Sequence, residues 1–122
     1  MTQKTPFDIP DSVRDVAGKS VDQAREAYRN FAEASRKAQD FIERATGSAQ
    51  AQAKTIQEKS LQYADENMKS GFALAEKLLK AKDFQETLEI QATFARQQVE
   101  AYTRQAEELS RLISEAAKKA RG

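Results

Sequence analysis

LEIQATFARQQVEAYTRQAEELSRLISEAAKKA, residues 88–120, repeats an apolar pair every seven positions: Leu88/Ala92, Ala95/Val99, Tyr102/Ala106, Leu109/Ile113 and Ala116/Ala120. Alternating spacings of four and three put these side chains along one seam of a helix about 50 Å long at about 1.5 Å per residue. Such a stripe has to be covered, either by other helices or by an apolar surface outside the protein. Leu88, Ala92, Ala95, Val99, Tyr102, Ala106, Leu109 and Ile113 are therefore the candidate contact surface, for an external partner or for further copies of the chain.

Upstream of this stretch, Lys80-Ala81-Lys82-Asp83-Phe84-Gln85-Glu86 joins two helices. Asp83 and Glu86 have the spacing of an N-cap and its N3 partner, and the lysines suit the C-terminal dipole of the helix before them. The third helix then runs to about residue 119. Between about 49 and 79 a second helix carries a broader, less regular apolar set: Ile56, Leu61, Tyr63, Met68, Phe72, Leu74, Leu78 and Leu79. Gly71 sits inside it, a tolerated cost of about 1 kcal/mol against alanine. Thr46-Gly47-Ser48 is the strongest break in the middle of the chain, with Gly47 ending one helix and Ser48 capping the next.

The first helix starts at Asp11 or Ser12, with Asp15 placed for its first turn, and continues to about residue 45. Its heptad face is shallow: Ala17, Ser20, Ala24, Ala27, Phe31, Ala34, Ala38, Phe41 and Ala45, flanked by Val21, Tyr28 and Ile42. Residues 1–10 read as a mobile arm, because Pro6 and Pro10 disfavour helix for the residues before them, with Phe7 and Ile9 free to staple onto the first helix. The expected architecture is all-α: an arm over 1–10 and a single domain over 11–122 of about three long amphipathic helices, as a bundle or a coiled-coil-like assembly.

Composition supports this reading. Leu, Ile, Val and Phe make up about 18% of the 122 residues, below what ordinary cores use, while net charge is +1 rather than extreme. Alanine and glutamine fill the difference and favour long helices with thin apolar faces. A thin core predicts modest monomer stability and a homo-oligomer joined through the heptad seams.

The chain has no cysteine and no histidine, which removes thiol nucleophiles, zinc–thiolate sites and the usual general base. Carboxylate pairs such as Glu86/Glu89 and Glu107/Glu108 are routine on solvated helix faces, so no enzyme activity, metal or cofactor is expected. With acids and bases balanced, nothing favours nucleic acid, which demands a cationic excess. An anionic bilayer likewise selects Lys- and Arg-rich polar faces, whereas this polar face mixes Glu, Gln, Lys and Arg. No run approaches a membrane span and no apolar leader is visible, so a cytoplasmic protein is expected. What remains is a neutral apolar surface or another helix. Covering Leu88, Val99, Tyr102, Leu109 and Ile113 at about 2 kcal/mol each yields on the order of 10 kcal/mol before association costs.

Lys82-Asp83-Phe84-Gln85-Glu86, Leu88-Glu89-Ile90-Gln91, Phe94-Ala95, Gln98, Ala101-Tyr102 and Gln105-Ala106 together resemble the characteristic segment of phasins, small helical proteins that coat polyhydroxyalkanoate granules. Phe7-Asp8-Ile9-Pro10 and residues 20–28 are similar to the short proteobacterial members. The Ala/Pro/Lys-rich C-terminal tail of some phasins has no counterpart here. The resemblance implies a non-catalytic role at the granule surface in the cytoplasm, adsorbing on the polyester and limiting coalescence, with granule size and number following. It leaves open whether a polymerase, depolymerase or regulator is bound as well. A coiled-coil interaction or chaperone-like module and a peripheral lipid-binding protein are the alternative readings.

Overall fold

A computed structural model describes residues 11–121 as three helices, α1 (Asp11–Arg44), α2 (Ala49–Lys80) and α3 (Phe84–Arg121). The expected arm, with Phe7 and Ile9, lies outside the described residues. Asp11 itself occupies the first turn of α1, displacing Asp15 from the position expected for it.

The two connections follow from local chemistry. Gly47 takes φ +58°, a left-handed conformation that a side chain would strain, and so reverses the chain between α1 and α2. Ser48 does not cap as its residue type suggests: its backbone is already helical and its side chain makes no capping bond. The turn closes instead through the N–H groups of Ala49 and Gln50, which donate to the carbonyls of Thr46 at 3.1 Å and Gly47 at 3.2 Å. At the second connection the Glu86 N–H donates to Asp83 Oδ1 at 2.8 Å, and Glu86 Oε2 accepts from the Lys82 N–H at 3.1 Å. This is a capping box whose acidic partner reaches one residue further back than usual.

Short connections make sequential helices antiparallel, and the interhelical pairs fix the register. Lys59 meets Glu108 and Glu66 meets Arg104, so numbers fall along α2 as they rise along α3. Phe31 on α1 stacks on Tyr102 at a centroid distance of 5.3 Å, while Gln23 lies beside Val99, so α1 runs parallel to α3. α3 is the central helix, packing more extensively against α1 than against α2.

Packing is unequal along the bundle axis. The buried residues are Ala27, Ala34 and Ala38 of α1, Ala53, Ile56 and Tyr63 of α2, and Gln105, Ala106, Leu109 and Ala116 of α3. Apart from Ala27, next to the Tyr28 that meets Tyr102, they lie in the half that carries the α1–α2 turn, where Phe31, Phe41, Ile42, Leu112 and Ile113 close around the core. From residue 64 to residue 104, the half formed by the α2–α3 hairpin, none is fully buried. One half is dry; in the other, α2 and α3 close on each other loosely.

Candidate functional site

The α3 seam divides at this boundary. Ala106 and Leu109 are buried, Tyr102 and Ile113 are half-buried at the core margin, and Ala116 belongs to the same core. Leu88, Ala95 and Val99 are half-buried in the hairpin half, while Ala92 is exposed. Ala92 thus departs from the expected stripe, and α3 packs against two helices at once. Its covered face is wider than a coiled-coil seam and takes in Ile90, Phe94, Gln98, Gln105 and Leu112, none of which belongs to the heptad pairs.

The two halves meet at a belt of aromatic rings and amides. Tyr28 packs edge-on to Tyr102 at 5.5 Å, and Phe31 packs edge-on to Tyr63 at 6.3 Å, so all three helices contribute a ring. Beside them Gln105, fully buried, and Asn67 exchange two hydrogen bonds of 3.1 Å, each amide nitrogen donating to the other's carbonyl oxygen. Gln98 Nε2 adds a 3.4 Å bond to Asn67 Oδ1. Burying an amide without a partner would cost about 1–3 kcal/mol, so this reciprocal pair disfavours other registers of α2 on α3.

Tyr63 carries the single buried side-chain polar atom that lacks a hydrogen-bond partner among the described residues. Its hydroxyl is pushed well above its ordinary pKa, first by burial and then by the neighbouring Glu108 carboxylate, which it approaches without hydrogen-bond geometry. Glu108 is held below the usual carboxylate range, chiefly by Lys59 at 3.0 Å. Glu108 and Glu86 are thus not simply solvated: one is half of an interhelical ion pair and the other caps α3.

Large apolar side chains also point away from the bundle. On α2, Leu61 is 65% exposed, Met68 60%, Phe72 64% and Leu79 87%. The irregular apolar set of the second helix is therefore two stripes superposed, one turned inward through Ile56, Tyr63, Leu74 and Leu78, the other outward. The signal for the outward one is a spacing of seven, four and seven within the mixed set. Phe84, also exposed, begins α3 just past the end of this ridge. Between α2 and α3 in the same half lies a groove of about 390 Å³ whose apolar lining is led by Leu74, Ile90 and Phe94.

A family model described as phasin protein matches residues 29–121, most of the chain and all of α2 and α3. The chain belongs to the phasin family. It is thus a polyhydroxyalkanoate granule-associated protein of a non-enzymatic, structural family. No curated protein and no solved structure matches it. The family match contains the whole block from Lys82 to Ala106 that carries the resemblance in the sequence, whereas residues 7–10 and 20–28 precede it. In this phasin the Lys82–Phe94 part of that block forms the α2–α3 connection and one wall of the loosely closed half. Among the described residues no helix is long and apolar enough to cross a membrane.

Proposed function

We propose that this phasin coats polyhydroxyalkanoate granules by adsorbing on the polyester through apolar helix faces while its charged faces stay in water, so that coated granules do not coalesce. Granule number then rises and size falls with the amount of coat. The observation that carries the reading is the apolar area that the fold leaves outside, in Leu61, Met68, Phe72, Leu79 and Phe84, in a chain of granule-associated lineage. Residues that a monomer needs for its core would be inside.

The α3 seam takes part unequally in this proposal. Leu88, Ala95 and Val99 lie in the half without a dry core and come within reach of polymer when the α2–α3 hairpin loosens. Ala106, Leu109 and Ile113 hold the closed half together. Their replacement by charged residues would unfold the bundle before it reported on adsorption.

Contact with an uncharged polyester draws on apolar transfer rather than Coulomb attraction. Sedimentation with polyester particles and with anionic vesicles, each at low and high salt, tests the proposal. Binding to the particles that survives salt is expected, because screening at 1 M leaves Coulomb attraction a reach of about 3 Å. Salt-sensitive binding to vesicles alone would place the chain with peripheral lipid-binding proteins instead.

A further inference from the structure

We infer that the chain docks on the polyester by the outward ridge of α2, Leu61, Met68, Phe72 and Leu79 extended by Phe84, with the dry half of the bundle still closed. The inference rests on the adsorption proposed above and assigns its first contact to a helix face other than the heptad seam of α3.

The geometry suits a flat partner. From Leu61 to Leu79 the ridge runs about 27 Å at about 1.5 Å per residue, straight along one helix, and all four side chains stand more than half exposed. A convex row of this kind seats no peptide or small ligand, but every member of it meets a plane at once. The groove beside it opens between α2 and α3 rather than on the ridge.

Charge and area then select among flat or helical partners. Between residues 58 and 80 four acids balance four lysines, and Asp65 and Lys69, which border the ridge, pair with each other at 2.9 Å. An anionic bilayer is met by a surplus of Lys and Arg around the apolar face; this border has none, which matches a surface without fixed charge. The four side chains expose on the order of 500 Å², short of the roughly 800 Å² per partner that a stable dimer covers. A second copy is therefore poorly held by this face, whereas a granule holds many chains side by side.

Polarity of packing sets the order of events. Most of the ridge lies in the hairpin half, where no residue of α2 or α3 between 64 and 104 is fully buried, so contact there displaces no core side chain of these two helices. The amide pair of Asn67 and Gln105 and the aromatic belt separate it from Ile56, Leu109 and Ala116, which stay packed.

The test uses the full chain. Met68→Gln/Phe72→Gln/Leu79→Gln removes exposed apolar area without touching the core, and Val21→Gln removes exposed apolar area from α1 without touching the aromatic belt. Both variants should stay helical by circular dichroism. The α2 variant should lose at least about 100-fold in affinity for polyester particles, as expected for three large apolar contacts, and the α1 variant less than about threefold. Because the chain has no tryptophan, Phe72→Trp also serves as a single reporter, whose emission should shift to the blue on the particles while that of Val21→Trp does not. Equal losses in the two glutamine variants, or a blue shift at Val21→Trp alone, would overturn the ridge assignment. Tighter binding of the wild type to anionic vesicles, or a stable wild-type dimer abolished by the α2 variant, would overturn the occupant. If the wild type fails to bind polyester at all, the adsorption proposal itself fails, a result separable from wild-type binding that survives loss of the ridge.

Discussion

Tyr63 shows how a single side chain can carry both packing and a liability. Its ring closes the dry half at the aromatic belt, yet its hydroxyl is buried without a partner beside a carboxylate. Tyr63→Phe keeps the ring and removes the stranded oxygen, so the variant should gain up to about 1 kcal/mol in urea unfolding at pH 7. The pH dependence follows with a definite sign. In the unfolded chain the phenol ionises from about pH 10, whereas burial keeps it protonated well above that in the fold. The contribution is complete below pH 10 and is lost as pH rises beyond it, so wild-type stability should fall on the alkaline side more steeply than that of Tyr63→Phe. Glu108 behaves oppositely: with its folded pKa depressed by Lys59, its contribution is present above the ordinary carboxylate range and is lost on acidification through the folded value. Because the pair is partly exposed, Glu108→Gln should cost less than about 1 kcal/mol at neutral pH and leave polyester binding intact, as should Glu86→Gln if helicity is retained.

At the scale of elements, helix limits were legible wherever a local signal sets them. The expected second helix of 49–79 is Ala49–Lys80, and the Asp83/Glu86 spacing places the start of α3 at Phe84. Gly47 was legible for the same reason, since the positive φ belongs to the residue itself. Ser48 was not, because the backbone of the turn satisfies the groups that its hydroxyl would have capped. The candidate site was legible only in part. A seven-residue repeat shows that α3 has a covered stripe, but which helices cover it depends on the relative placement of all three. On α2 the inward and outward sets share residue types and interleave, so only their division by burial separates the ridge from the core. Gln105 lay outside any apolar pattern, since its burial depends on an amide 38 residues away. Replacing it by leucine leaves the Asn67 amide N–H without its acceptor, only the 3.4 Å bond from Gln98 remaining, and should cost about 1–3 kcal/mol, with more recovered in Asn67→Leu/Gln105→Leu than additivity predicts. Gly71 presents open space where a Cβ would stand, so Gly71→Ala should stabilise the chain by about 1 kcal/mol, raising Tm without altering the bundle.

For the molecule as a whole, three shallow stripes close on one another within a single chain, so the core does not itself call for a second copy. The homo-oligomer expected from the heptads is then left to the outward ridge, whose area supports weak, reversible association. Sedimentation should give mainly monomer at micromolar concentration, shifting toward oligomers as concentration rises. The central claim is that one half of the bundle holds the fold while the other meets the polyester. Amide hydrogen exchange, read peptide by peptide on the chain free and adsorbed on polyester particles, tests this most directly. In solution, amides of residues 64–104 should exchange faster than those around Ile56 and Leu109, because fewer buried contacts oppose their opening. On the particles, exchange over 61–84 should slow while the dry half keeps its protection. Loss of protection around Ile56 and Leu109 on adsorption, with no slowing over 61–84, would contradict the account.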